Sequence, residues 1–398
     1  MSTAKATRSE LLAQNGAPTT PRAAARDFQV DIFSNVDDAL AIVAKEAAEG
    51  VGTPFQSRVW LKAWQGAFAS ADTARQPVIV IARAQASNLL AVALFLALRE
   101  RDGLKILEPM DDGVTDYNAP ILGPEAPVDA AGARLLWRAI RRALPPCDLI
   151  NIAKSPRILA GRPNPLALIK PARASRLSGN VLDIDAPFEA FVRGFERKFR
   201  KELGREKRVF EAHEGARFMM VKDLAQAMSV LNALAEMQSA RIRGLGRDYY
   251  LDDPAPAAFY RELLRDGLPR GAVTLSALFI GDVVVAALMG VIEGDHFAMV
   301  RLGAARAGWS HFSPGRLVIM ETMRALRARG LRRFDFTIGD YDYKRRLGVE
   351  TLPLIELTVA ASWRGWPRAL MKNARARARE SQFMRKLAGL ARAMLRRR

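Results

Sequence analysis

The chain contains little of the chemistry that forms disulfides or holds metals. Among its 398 residues, Cys147 is the single cysteine, and His213, His296 and His311 are the only histidines. One cysteine excludes an intrachain disulfide and any cysteine-based zinc or iron–sulfur site. Since the histidines show no ligand spacing, we predict that the protein holds no structural metal.

The sequence also has no internal period. Its 28 glycines and 21 prolines recur at no fixed spacing, which excludes a fibrous repeat. Charged residues make up 26% of the chain and hydrophobic residues 49%, a balance typical of a soluble globular protein. At roughly 150 residues per domain, the length predicts two or three domains.

The N-terminal residues 1–26 carry basic side chains but lack the apolar stretch of a secretory signal peptide, so we do not interpret them as one. We interpret them as a disordered lead-in and expect a cytoplasmic protein. One run, 272–292, has the length of a transmembrane helix and a single charge, Asp282. Because Gly281 and Asp282 stand between two β-branched runs, we predict a hairpin of two buried strands instead.

Positive charge exceeds negative charge, with 61 Lys and Arg against 42 Asp and Glu and a net charge of +19. Residues 364–398 hold twelve basic residues and one acid, and so contribute +11. In that tail Phe383, Leu387, Leu390 and Met394 repeat at helical spacing, which favours a basic amphipathic helix on an anionic membrane surface. Nucleic-acid binding and a solvated tail are the alternatives.

Both halves of the chain repeat one order of elements, which predicts a pair of mixed α/β (α+β) domains. In the second half we expect helices at 188–212, 223–243, 254–267, 315–329 and 340–347, and strands at 217–221, 273–280, 283–292, 296–302, 331–338 and 354–360. In the first half we expect helices at 57–68 and 131–143, and strands at 78–82, 89–98, 104–107, 149–153 and 181–184. The predicted domains are 27–185 and 186–362, between the tails 1–26 and 363–398.

The strongest motif opens the helix predicted at 315 and reads Ser313-Pro314-Gly315-Arg316. A helix N-terminus presents free N–H groups and the positive end of the helix dipole. Serine favours the cap position, glycine permits close approach, and Arg316 adds a cation. The combination is typical of a pyrophosphate site, and equally of a capped helix without a ligand.

Asp335 stands in the middle of the strand predicted at 331–338, between two phenylalanines. A buried carboxylate is costly unless it is paired or belongs to a site. The acidic and aromatic run that follows, through Asp340 to Tyr343 and Lys344, lies at the carboxyl end of the strand, where ligands of open α/β sheets bind. A structural aspartate, and surface positions for Tyr343 and Lys344, are the alternatives.

These motifs together resemble the GNAT-type acyltransferase domain of the CelD/BcsL group, often labelled BioF2-like. The resemblance covers most of residues 50–350, including Trp60 and the run Asp116-Tyr117-Asn118-Ala119-Pro120. That group is associated with cellulose and exopolysaccharide synthesis. It is in turn similar to the Fem-type aminoacyltransferases, which pair two GNAT folds and so fit the repeated order of elements.

The resemblance implies a set of roles. The strand ending at Leu302 would line the pantetheine of acetyl-CoA or another acyl-CoA, and Ser313, Gly315 and Arg316 would receive its pyrophosphate. Tyr343 would protonate the departing thiolate. The catalytic base would be Asp335 or Asp340, and Asp116, Tyr117, Trp60 and Lys344 would contact the small-molecule or saccharide acceptor.

The chain departs from the usual phosphate-binding loop of GNAT enzymes, because Trp309-Ser310-His311-Phe312 precedes Ser313. The donor is therefore an acetyl-CoA, a longer acyl-CoA or, as in Fem enzymes, an aminoacyl-tRNA. Residues 193–208 carry eight basic side chains against three acids, which fits either a surface for tRNA or another anion, or a solvated linker helix.

Three functions follow from these observations. We favour an acyltransferase that modifies an amine or hydroxyl of a sugar, exopolysaccharide or cell-envelope precursor. A Fem-like aminoacyl-tRNA-dependent transferase is the second. A non-catalytic module that recruits polysaccharide synthesis machinery is the third.

Overall fold

A mixed sheet of 13 strands runs through both halves of the chain in this computed structural model. The structure describes residues 27–46, 51–69, 75–306, 308–339 and 342–377. The lead-in predicted at 1–26 and the amphipathic repeat predicted beyond residue 377 lie outside these ranges. Helices pack on both faces of the sheet, and large apolar clusters fill the space between.

The first half begins at the sheet's outer edge and ends at its centre. Its elements are β1 (Phe28–Phe33), α1 (Val36–Glu46), α2 (Arg58–Trp64), β2 (Arg75–Ala84), β3 (Leu90–Arg101), β4 (Leu104–Pro109), β5 (Ile121–Leu122), α3 (Ala130–Ala143), β6 (Leu149–Pro156), β7 (Ile158–Leu159), β8 (Arg162–Pro163) and β9 (Ala172–Asp183). β7 and β8 form a separate two-stranded hairpin.

The second half repeats this order after two connecting helices. Its elements are α4 (Phe188–Arg193), α5 (Arg197–Glu211), β10 (Arg217–Val221), α6 (Leu224–Arg243), α7 (Pro254–Gly267), β11 (Val273–Ile280), β12 (Val283–Glu293), β13 (His296–Ala304), α8 (Pro314–Ala328), β14 (Arg333–Asp335), α9 (Asp342–Arg346) and β15 (Glu350–Ala360). A last described helix, α10, spans residues 366–377.

Each half contributes its final strand to the other half's side of the sheet. The order is β1-β2-β3-β4-β6-β15-β9-β14-β13-β12-β11-β10, so β15 pairs with β6 and β9 pairs with β14. Within each half one pair is parallel, β4 with β6 and β13 with β14. The exchange leaves no open edge between the halves, and it brings residues from both halves together at the centre of the sheet.

The mixed α/β class and the repeated order of elements are confirmed, whereas three local predictions need correction. The helix predicted at 188–212 is broken into α4 and α5 at Gly194, a residue of low helix propensity. β1 and α1 were not predicted. The strand predicted at 331–338 ends at Asp335, for reasons described with the site. The domain boundaries remain a prediction.

The apolar run 272–292 forms the predicted hairpin. β11 pairs with β12 in antiparallel register, and Gly281 turns the chain with a φ of 56°. Both strands are mostly buried within the sheet. Among the described residues, no helix has the length and apolar character needed to cross a bilayer.

Candidate active site

The parallel strands β13 and β14 separate soon after they meet. β14 pairs with His296, Phe297 and Ala298 of β13, but β13 continues to Ala304. A bulge in the β12–β13 pairing, beside Gly290, adds to the distortion of β13 at the same level. The result is a gap that opens towards the carboxyl end of β13.

β14 ends where it does because Asp335 turns the chain that follows. The backbone N–H of Thr337 donates to Asp335 Oδ1 over 2.6 Å, and Thr337 has a left-handed φ of 58°. The Thr337 hydroxyl also donates to the carbonyl of Met299 over 3.2 Å. The Thr337 hydroxyl thus takes the place of the backbone N–H that a longer β14 would offer to the Met299 carbonyl of β13. The gap between the two strands begins at this point.

Lys344 fixes the backbone of residues 336–338, which follow β14, by hydrogen bonds to their carbonyl groups. Its side chain is buried, and Nζ donates to the carbonyls of Phe336, Thr337 and Ile338 at 2.8, 3.3 and 3.1 Å. The alternative of a surface position for Lys344 is therefore wrong. The contacts fix the wall of the gap, while the predicted contact with a substrate remains a prediction.

Tyr117 and Asp335 join the two halves inside the sheet. The Tyr117 hydroxyl donates to Asp335 Oδ1 over 2.8 Å, and both side chains are fully buried. Burial, and then the charge of Asp335, raises the pKa of Tyr117 well above its ordinary value. The sequence left open whether Asp335 is bonded or catalytic; the structure shows it bonded to Tyr117, to Thr337 and, through Oδ2, to His296 Nε2 at 3.3 Å.

Gly179 on β9 provides the space for this pair. A Cβ at residue 179 would lie 2.1 Å from the Tyr117 hydroxyl oxygen and 2.8 Å from its ring. Real Cβ atoms do not approach so closely, so any larger residue at this position would displace the tyrosine. The exchanged strand β9 therefore helps to position Tyr117.

Asp116 lies next to this pair, on the loop between β4 and β5, and is partly exposed. Burial raises the pKa of Asp116 to about 6, against a hydrogen bond from Thr337 and the charge of Lys154, which lower it. A carboxyl group with a near-neutral pKa suits general base catalysis. Sequence reasoning placed Asp116 with the substrate but missed this property, because the burial that raises its pKa is produced by the fold and leaves no signal in the local sequence.

Arg301 on β13 is a buried cation that the sequence analysis also missed. Its Nε donates to Gln238 Oε1 over 2.7 Å, and its guanidinium lies 4.7 Å from the ring centroid of Tyr260. Burial raises the pKa of Tyr260, and the charges of Arg301 and Asp116 both act on that ring. The signal was an arginine inside an apolar strand.

The start of α8 lies against the end of β13. A Cβ at Gly315 would lie 3.3 Å from the Cβ of Ala304, which shows how closely the helix approaches the strand. The prediction that the Ser313 side chain caps the helix is wrong: Ser313 is left-handed (φ 50°, ψ 61°), and its carbonyl accepts from Arg316 N–H at 2.9 Å. The side chain makes no capping bond.

The helix of the first half that corresponds to α8 is α3, and its N-terminus is already capped by an acidic side chain. The Asp129 carboxylate accepts hydrogen bonds from the N–H groups of Ala131 and Gly132 at the start of α3, both over 2.8 Å. A carboxylate already occupies the position that an anion would take. Of the two related helix starts, the one at α8 is therefore the one that suits a phosphate.

Arg316 forms a salt bridge with Glu206. Its Nε donates to Glu206 Oε2 over 2.9 Å, a second bond joins it to the same carboxylate, and its guanidinium lies 5.4 Å from the Phe199 ring centroid. Arg316 thereby fastens α5 to α8. Its contact with a phosphate stays a prediction.

The remaining residues that the sequence singled out make separate contacts. The carbonyl of Leu302 accepts from Gln238 Nε2 over 3.1 Å, and Tyr343 packs against Phe336 with ring centroids 6.1 Å apart. Trp60 is fully buried and donates from Nε1 to Thr115 over 3.0 Å, so it supports the Asp116 loop from behind. Asp340 lies outside the described residues.

A cleft of about 320 Å³ opens on the other side of Asp335. Thr53 and Tyr117 line it from the first half, and His296, Arg333 and Asp335 line it from the second. Its charged and polar groups therefore come from both halves. No cluster of three or more metal-ligating side chains occurs among the residues that the structure describes.

With this geometry in place, comparison with known families identifies one class of domain. Residues 197–345 match the family model described as an acetyltransferase (GNAT) domain. The chain therefore carries a GNAT-type acetyltransferase domain, formed by the half that contains the gap and α8. No curated protein matches the chain.

Solved structures show a similar overall fold. The crystal structure of FemX is 11% identical, with a TM-score of 0.56, and the match covers 86% of this chain and 99% of FemX. A conserved protein of unknown function from Bacteroides thetaiotaomicron is 11% identical, with a TM-score of 0.50 over 83% of this chain and 100% of that one.

Proposed function

We propose that the protein transfers an acyl group from acyl-CoA to an amine or hydroxyl group, in the gap between β13 and β14. The observation that carries the proposal is the position of Asp116, a carboxyl group with a pKa of about 6, beside the gap of a GNAT-type domain. The two features support a role for Asp116 as the base, next to the opening where a thioester would enter.

The donor would lie along β13. Because β14 stops pairing at Ala298, the edge of β13 from Val300 to Ala304 faces the gap, where an extended pantetheine can add to it as a strand would. The pyrophosphate would then reach the start of α8, where Ser313 leaves its side chain out of the cap and Gly315 permits close approach.

Asp116 would accept the proton of the attacking amine or hydroxyl as the new bond to the thioester carbonyl forms. The tetrahedral intermediate then expels the CoA thiolate, which takes a proton, in our proposal from Tyr343. Asp335 is buried and bonded to Tyr117, Thr337 and His296, so we assign it to positioning and move the role of base to Asp116.

For the acceptor we propose a polar molecule such as a sugar or an exopolysaccharide or cell-envelope precursor. The resemblance to the CelD/BcsL group and the charged lining of the cleft beside His296 and Arg333 support this choice. Hydroxyl and amino groups of a saccharide are also the nucleophiles that a base such as Asp116 activates.

An aminoacyl-tRNA donor is the second candidate, and one observation favours it. Lys198, Lys201, Arg205 and Arg208 are exposed along one side of α5, and Arg205 contacts the carbonyl of His311 just before α8. A cationic helix beside the proposed phosphate site suits a larger anion as well as CoA.

The test is release of free CoA from acetyl-CoA in the presence of a panel of amino sugars and sugar nucleotides. The proposal expects acceptor-dependent release that falls at least ~100-fold in Asp116→Asn, as for loss of a general base. The matched control, Asp248→Asn, changes an exposed aspartate and should leave the rate unchanged. Full activity in Asp116→Asn would refute this mechanism.

A further inference from the structure

The outward face of α10 is apolar, which is the reverse of what a surface helix normally presents. Trp366, Leu370 and Met371 on α10 are 66%, 60% and 46% exposed, and Trp363, in the turn just before the helix, is 83% exposed. We call these four residues the apolar face. Isolated exposed hydrophobic residues are common, but a contiguous group with two tryptophans indicates a binding surface.

The apolar face is held rigidly by the opposite side of the same segment. Gly365 packs so closely on β6 that a Cβ there would lie 1.8 Å from the carbonyl oxygen of Asp148. Ser362 donates to the Asp148 carboxylate over 2.5 Å, and Ala369 packs in a cluster with Ile106 and Leu149. The orientation of the apolar face is therefore fixed by the fold.

Polar contacts along α10 fix it further. Lys372 donates to Asn151 Oδ1 over 2.8 Å, and Arg173 donates to the carbonyl of Asn373 over 3.0 Å. Arg368 pairs with Asp102 at 2.7 Å. Rotating the helix to bury the apolar face would break all of these contacts, so the two tryptophans stay exposed on the part of the chain that the structure describes.

Charge identifies what covers the apolar face. Residues 364–398 carry twelve basic residues against one acid, so a second copy of this chain would bring two segments of +11 together. An anionic bilayer offers the opposite charge and an apolar interior just below it, and tryptophan is the side chain that best occupies that boundary.

We propose that the apolar face of α10, flanked by its arginines, docks the protein on an anionic lipid bilayer. The tryptophans insert at the level of the headgroups, and Arg364, Arg375 and Arg377 meet the lipid phosphates. The active-site gap and the cleft lie on other elements of the fold. The docking is therefore independent of the proposed acyltransferase function, and either claim can fail alone.

Co-sedimentation of the full chain with vesicles tests the proposal. We expect binding to vesicles rich in phosphatidylglycerol, weak binding to vesicles of phosphatidylcholine alone, and a blue shift of tryptophan fluorescence on binding. Trp363→Ala with Trp366→Ala should weaken binding roughly 10-fold or more, since both side chains leave the bilayer. Because both residues are exposed, the fold should not change, which circular dichroism verifies.

The control removes exposed hydrophobic residues elsewhere. Leu245 and Val283 are 60% and 56% exposed and lie on other elements, so Leu245→Ala with Val283→Ala should leave vesicle binding unchanged. Arg375→Glu with Arg377→Glu should reduce binding to the anionic vesicles and lessen its dependence on salt.

Four results would overturn the proposal. The first is vesicle binding that survives loss of both tryptophans, and the second is equal binding to neutral vesicles at all salt concentrations. The third is a protein dimer in sedimentation equilibrium that the tryptophan variants abolish. The fourth is unfractionated tRNA that binds through the two tryptophans and displaces the vesicles.

Discussion

The hydroxyl of Tyr117 donates to the carboxylate of Asp335 over 2.8 Å, and 218 positions separate the two residues in the sequence. The pair is buried where the exchanged strands β9 and β15 cross the middle of the sheet. It ties the Asp116 loop of the first half to the end of β14 in the second half. The geometry of the proposed site thus depends on a contact between the halves.

Removing this contact should loosen the site. Tyr117→Phe leaves Asp335 with one donor fewer in a buried environment, so we expect a loss of about 1.5–3 kcal/mol of unfolding free energy. Urea denaturation measures it. An unchanged midpoint would show that the bond does not link the halves.

Gly179→Ala should displace Tyr117 and so destabilise the protein. Its new Cβ would stand 2.1 Å from the Tyr117 hydroxyl oxygen, and overpacking of this kind costs about 1–3 kcal/mol. Since the hydroxyl makes the closest contact, Tyr117→Phe should partly relieve the effect, which a double-mutant cycle reveals. Gly204→Ala, on α5 where a Cβ meets only ordinary contacts, is the control and should not destabilise the protein.

Lys344→Met should weaken the segment after β14. The ammonium group donates to the carbonyls of residues 336–338. The substitution removes this donor from all three oxygens, and among the described residues only that of Thr337 keeps another, Asn180 Nδ2 at 2.8 Å. We expect roughly 3 kcal/mol of lost stability and a higher KM for acyl-CoA, because the wall of the gap moves. Lys170→Met, at an exposed lysine, serves as the comparison. A Lys344 variant with wild-type stability and KM would contradict this role.

The raised pKa of Asp116 predicts how activity depends on pH. The base must be ionised to accept a proton, so kcat/KM should rise with pH through an apparent pKa of about 6 and then level off. In Asp116→Asn this rise should disappear together with most of the activity. If the wild-type protein and Asp116→Asn showed the same fall in kcat/KM at acidic pH, a residue other than Asp116 would be the base.

The same pKa predicts a change in stability. The folded pKa of about 6 exceeds the value of about 3.8 expected of an unperturbed aspartate, so the folded state binds more protons between these values. Ionised Asp116 therefore destabilises the fold above pH 6, by on the order of 3 kcal/mol, and stability recovers as the pH falls towards 4. Thermal unfolding of Asp116→Asn at pH 7.5 should give a Tm above wild type, and a lower Tm would contradict the assignment.

The sequence predicted much of the second half because its signals are local. Gly281 marks a hairpin turn, and the bounds of β10 and β11 agree with the expected strands. β1 was missed although four of its six residues are apolar. β14 was predicted too long because the Thr337 hydroxyl bonds to the carbonyl of Met299, a tertiary contact that spans 38 positions. The strand exchange has no local signature, since it pairs β9 with residues about 150 positions away.

The candidate site was predicted in part for the same reason. The residue types at Asp116, Tyr117 and Asp335 indicated chemistry, and the structure brings those three side chains together. Which carboxyl group would serve as the proposed base could not be predicted, because the pKa of Asp116 depends on burial that only the fold produces. Arg316 carried a clear motif, yet its pairing with Glu206 depends on how α5 packs against α8.

Calorimetric titration with acetyl-CoA tests the central claim most directly. We expect the wild-type protein to bind, and Gly315→Asp to abolish binding by placing a carboxylate at the start of α8. Gly66→Asp makes the same change at an exposed glycine of the first half with open space around it, and should bind as wild type does. Absence of binding by the wild-type protein, or undiminished binding by Gly315→Asp, would contradict an acyl-CoA site in the gap between β13 and β14.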